Sequence, residues 1–87
     1  MSMGATHSED QAVSFGADAE QFFRLGLMYS TGESMPTDMV SAHKWFNIAA
    51  LRGSSEAARH RCEIAGEMSA AEVAAAQRAA RIWLTRH

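Results

Sequence analysis

Apolar residues recur along this chain at intervals of three and four rather than two, in four blocks separated by glycine, proline and serine. In the first block Ala19, Phe22, Leu25, Gly26 and Tyr29 fall on one helical face, and Phe23 and Leu27 form a second apolar line. The spacing predicts a helix over about 17–30. A helix apolar on two sides needs two neighbours. Gly26 in its middle costs about 1 kcal/mol relative to alanine. Close approach by another helix is the usual compensation, so Gly26 is predicted to be a packing contact.

Gly32 suits the left-handed position that ends a helix. Residues 33–37 then form a turn in which Pro36 keeps Met35 out of the helical region. Thr37 is the expected N-cap of a second helix over about 38–51, with the Asp38 carboxylate at its positive end. Met39, Ala42, Phe46 and Ala49 line one face of that helix, with Trp45, Ile48 and Leu51 beside them and Lys44 and Asn47 turned outward. Gly53 stops it, and Ser54 or Ser55 starts a third helix, about 55–65, carrying Glu56 in its first turn. Ala58, Cys62 and Ala65 are the predicted buried stripe there, flanked by Ala57 and Ile64. After Gly66, the run Ser69-Ala70-Ala71-Glu72 has capping-box spacing and opens a fourth helix that reaches about Thr85. Val73, Ala76, Ala80 and Trp83 form its inner face. The prediction is an all-α fold of four helices in two antiparallel hairpins, preceded by a flexible polar segment over 1–14.

Self-comparison adds a repeat. Ala42-His43-Lys44 aligns with Ala76-Gln77-Arg78, and Ile48 with Ile82, while Gly16 and Gly53 stand at equivalent hairpin starts. The second copy lacks the Leu-Gly and Tyr of the first. Where the first has Trp45-Phe46 and Ala49-Ala50, the second has Ala79-Ala80 and Trp83-Leu84, so bulky and small residues have traded places. Ala19-Glu20, Phe22, Leu25-Gly26, Met28-Tyr29, Gly32, Asp38, Ala42, Trp45-Phe46, Ala49-Ala50 and Gly53 together resemble the Sel-one-like repeat, a relative of the tetratricopeptide repeat. Gln21 departs from that pattern, which usually has a small residue there. The resemblance covers about 17–53 and leaves 54–87 as a degenerate, capping copy within a domain of 15–87. It implies an α/α solenoid segment acting as an adaptor in protein complexes, often in bacterial signalling or envelope processes, without catalysis of its own. Solenoid repeats share their cores with neighbours, and about three are normally needed for stability. Either the arginine-bearing fourth helix caps the open end, or two chains associate, with Phe23 and Leu27 as the attractive stripe.

Composition narrows the field. Of 87 residues, 47% are apolar and 21% charged, the balance of a globular chain long enough for one small domain. Residues 1–51 carry two bases against six acids, a net of −4, and residues 52–87 carry six arginines against four glutamates, a net of +2. That asymmetry is too weak for nucleic acid, and the arginines Arg59, Arg61, Arg78, Arg81 and Arg86 are interleaved with glutamates rather than aromatics. The predicted arrangement is a solvated face paired with Glu56, Glu63 and Glu72. No apolar run has membrane-spanning length, Met1 to Gln11 lacks a signal-peptide core, and a single cysteine fits a reducing compartment; the expectation is a cytoplasmic protein.

Candidate chemistry is thin. Glu56, His60 and Glu63 share a helical face, but no Cys-x-x-Cys or His-Glu-x-x-His spacing is present, and no metal or cofactor is expected. Cys62 has Arg59 and Arg61 nearby to activate its thiol, yet its stripe predicts burial in the core. No nucleophile turn, oxyanion loop or phosphate-cradling loop is present, so no catalytic residue is assigned. Met28, Met35, Met39 and Met68 read as core filling, with Met35 in the turn as the exception. The expected function is a small non-catalytic interaction module that presents a helical surface to another protein, with Phe23, Arg24, Leu27, Met28 and Lys44 as contact residues and a homodimer as one expected form. The competing expectations are a ligand- or metal-responsive regulator using His43, His60, Cys62 and nearby acids, and a purely structural oligomerisation module.

Overall fold

The second helix has small or aromatic residues on so much of its circumference that it must be surrounded, and it is the centre of the molecule. The computed structural model describes residues 18–86, so the predicted segment over 1–14 lies outside the described residues. Those residues form four helices and no strand: α1 over residues 18–31, α2 over Met39–Leu51, α3 over Ser55–Ala65 and α4 over Ala70–Arg86. The predicted all-α fold of two successive helix hairpins is the one observed.

Local chemistry accounts for each boundary. Gly32 has φ 75°, and its N–H donates to the Met28 carbonyl at 2.9 Å, closing α1. The Asp38 N–H donates to Tyr29 O at 2.9 Å, so the start of α2 is tied to the last turn of α1. The N-cap of α2 is Asp38, one residue later than the predicted Thr37. Its carboxylate accepts from the Ser41 N–H at 3.1 Å and from the Ser41 hydroxyl at 2.8 Å. A charged acceptor at the positive helix end outcompetes a hydroxyl, and Thr37 Oγ1 instead lies against the bare Cα of Gly32.

Gly53, at φ 113°, turns the chain into α3, whose cap is Ser54: its hydroxyl accepts from the Ala57 N–H at 3.0 Å. At the far end of α3 the chain leaves by a tightened turn, with Gly66 still at φ −65°. Then the predicted capping box forms in both directions, Ser69 N–H to Glu72 Oε1 at 2.8 Å and Glu72 N–H to Ser69 Oγ at 3.1 Å.

Three helices pack around α2. Ala42, Phe46, Ile48 and Ala49 of α2 are fully buried, together with Ala57 of α3, Ala76 and Ala80 of α4 and, nearly so, Ala19 of α1. Alanine at so many contact points lets the backbones approach closely. The tightest approach is at Gly26, where an added Cβ would lie 2.5 Å from Cε1 of Phe46 and 3.0 Å from its Cγ. Gly26 is therefore the packing contact its position predicts. Phe22 stacks on Trp45 with centroids 5.6 Å apart, and both meet Trp83 of α4 edge-on at 5.2 and 5.5 Å. On the other flank Phe23 meets Phe46 at 5.8 Å and His60 of α3 at 5.1 Å. The second hairpin thus straddles α2, with α3 along the His43–Asn47 side and α4 along the Trp45 side.

Three placements differ from expectation. Leu51 is 63% exposed, since α2 has no neighbour in that direction. Asn47 is not turned to solvent: its Oδ1 accepts from Arg61 Nη1 at 2.7 Å, linking α2 to α3. The inner face of α3 is Ala57 with Ile64, while Cys62 of the predicted stripe is exposed.

Candidate functional site

The five expected contact residues do not share one surface. Phe23 and Leu27 are half-buried and packed against the Phe46-centred cluster, so the second apolar line of α1 has its neighbour, α3, within the chain. Arg24 and Met28, one helical turn apart, lie on another side of α1, Arg24 exposed and Met28 half-buried. The Arg24 guanidinium pairs with Glu20 at 3.5 Å, both side chains mostly in solvent, which is a weak contact. Lys44 is on the opposite flank of α2, its Nζ 4.3 Å from the centroid of the Trp45 ring. It borders α4 there, with Ala79, Ile82, Trp83 and Arg86.

The titratable side chains are spread out. His43 is the one buried polar residue among those described, at 3% exposure, and its Nδ1 has no hydrogen-bond partner. Burial holds its pKa below 6.5, and the Arg61 guanidinium adds to that depression. His60 sits between the rings of Phe23 and Phe46, its Nδ1 3.0 Å from the Glu56 carbonyl oxygen. Glu56 pairs with Arg59 at 3.9 Å in the open. Among the described residues no three His, Cys, Asp or Glu side chains are grouped to hold a metal ion.

Cys62 requires a correction. Its predicted burial with Ala58 and Ala65 assumed that α3 turns that stripe inward. The contact with α2 is instead made through Ala57, Arg61 and Ile64, which rotates the thiol into solvent. The arginines also divide: Arg61 is drawn inward by Asn47, and Glu72, expected to pair on a solvated face, caps α4 instead.

Shallow grooves mark the surface of the described residues, three of them informative. One of about 230 Å³ lies between Glu20 and Phe23 of α1 and the Gly53–Glu56 corner. The other two follow the line where α2 meets α4. At the start of both helices, a groove of about 510 Å³ has Tyr29, Met39 and Val40 beneath the Asp38 and Glu72 carboxylates. At the far end, a groove of about 310 Å³ has Ala79, Ile82 and Trp83 between Lys44 and Arg86. The α4 side of these grooves is not among the contact residues expected from the sequence. Its signal was the spacing Glu72, Ala75, Ala79, Ile82, Arg86, which follows a seam pattern beside the buried Ala76–Ala80 face.

No helix among the described residues is long and apolar enough to cross a membrane. Compared with known protein families, curated proteins and solved structures, the chain has no match.

Proposed function

We propose that this chain is a small, non-catalytic protein–protein interaction module of the Sel-one-like repeat type, working in the cytoplasm as an adaptor or scaffold. The observation that carries this reading is the seat of Gly26 on Phe46. It joins α1 and α2 at two of the motif positions that carry the resemblance, and the grooves among the described residues are open and shallow rather than enclosed around reactive groups. The line Arg24–Met28, which unlike Phe23 and Leu27 is not packed against the Phe46 cluster, is the part of α1 offered to another protein in this reading.

A pull-down from the host with wild type and with the double variant Arg24→Glu/Met28→Asp tests this. Capture of a specific protein by wild type, lost in a variant of unchanged melting temperature, supports the reading. Identical capture by both, or none by either, removes α1 as the docking line.

A further inference from the structure

The two grooves along the α2/α4 line are opposite in charge. Asp38 and Glu72 flank the first over an apolar floor of Met39 and Val40. Lys44 and Arg86 flank the second over Ala79 and Ile82, and no carboxylate lines it. Neither Lys44 nor Arg86 is in an ion pair among the described residues. Ile82, between the two ends, is 52% exposed and adjoins Ala79 on the same strip. Along α4 the strip Glu72, Ala75, Ala79, Ile82, Arg86 has the spacing of a helix–helix seam and is exposed or half-buried throughout. On α2, Val40 and Lys44 follow the same line one turn apart.

We propose that a second copy of this chain docks on this strip, antiparallel and related by a two-fold axis near Ala79. Position 79 lies midway between Glu72 and Arg86, which are ~21 Å apart along the helix. The antiparallel arrangement places Arg86 and Lys44 of each copy opposite Glu72 and Asp38 of the other. A parallel one would set like charges together. Ala75 and Ala79 allow the two α4 helices to approach closely, and each Ile82 covers the partner's Ala75–Ala79 stretch. The same patch is used twice, so the assembly closes at two chains. Phe23 and Leu27 take no part, because they lie on the α3 flank, partly buried against the Phe46 cluster. The inference goes beyond the adaptor reading and holds whether or not Arg24 and Met28 bind another protein.

Solution mass by sedimentation equilibrium over a wide concentration range, on the full chain, tests this. Wild type is expected to pass from monomer to dimer with concentration, and less readily as salt is raised. Glu72→Arg and Arg86→Glu are each expected to weaken association about tenfold or more. Mixing the two single variants in equal amounts restores the dimer, because each then offers the charge the other lacks. Should Glu72→Arg lose helix along with its capping bond, Ile82→Glu on an exposed side chain reports on the same seam. A wild type that stays monomeric, a dimer unchanged by any of these variants, a mixture that fails to recover, or growth beyond two chains would each overturn the proposal.

Discussion

Gly26→Ala separates two opposing effects whose sum has a definite sign. Helix propensity alone favours alanine in mid-helix by about 1 kcal/mol. Against it stands the ring of Phe46, fully buried, with Cε1 2.5 Å from where the new methyl would sit. Ordinary carbon contacts need about 3.5–4.0 Å, so something must move by roughly 1 Å. Phe46 has little room to yield, since Phe23 and His60 both pack against its ring. The relief is therefore for α1 to lift from α2. Phe22, Phe23, Leu27 and Tyr29 of α1 are partly buried against the core. Full burial of such a side chain is worth about 1.5–3 kcal/mol, and a gap of this size forfeits about a quarter to a half of the contact energy. The loss then comes to about 2–3 kcal/mol, the upper part of the usual overpacking range. Net of propensity, Gly26→Ala should destabilise by about 1–2 kcal/mol, a fall in melting temperature on the order of 5–15 °C for a domain this small. Thermal and urea melts followed by far-ultraviolet circular dichroism measure it. Adding Phe46→Leu should cost less in the Gly26→Ala background than in wild type, because the smaller side chain relieves the clash. A neutral or stabilising Gly26→Ala would refute the packing argument, since it would mean propensity acts unopposed.

Other expectations concern the corrected or unpaired residues. His43, held neutral by burial and by Arg61, takes up its proton less readily folded than unfolded. Its contribution to stability is thus intact above about pH 6.5 and lost as pH falls from there towards its depressed folded pKa; His43→Phe should flatten that part of a stability–pH curve. Cys62, in solvent, should react with a thiol reagent in the native protein at the rate of an unfolded control, and Cys62→Ser should leave stability within about 0.5 kcal/mol. Asp38→Ala should cost about 1 kcal/mol as the loss of an N-cap, and Thr37→Ala clearly less; the reverse order would restore Thr37 as the cap.

The boundaries most legible in the sequence were those set by local chemistry. Gly32 and Gly53 take positive φ where a helix must end, and Ser69 with Glu72 forms a cap that involves only its own turn. Gly26 was legible for a different reason: a glycine in mid-helix is a local penalty that only a tertiary contact explains. The misplacements share one cause. Periodicity gives the angle between side chains on a helix but not the absolute rotation of that helix against its neighbours. On α3, two stripes were about equally small and apolar, Ala58–Cys62–Ala65 and Ala57–Ile64, and hydropathy could not separate them. The deciding contact, Arg61 with Asn47, joins residues fourteen apart that both read as outward-facing.

That same degeneracy bears on how so short a chain finishes its core. One good hairpin has two flanks to cover, and a single stacked hairpin would cover one. Here α3 takes the Phe23 flank and α4 the Phe22–Trp45 flank, so the two helices after Gly53 cover both sides. Trp83 reaches back to close the aromatic cluster, while Ala76 and Ala80 let α4 come close enough to do so. Once its inner face is spent on capping the first hairpin, α4 still has an adjacent strip of small and apolar residues ending in opposite charges. A helix whose only task was to cap would gain solubility from polar residues at 75, 79 and 82. Alanine, alanine and isoleucine there are explained if α4 has a second surface to meet.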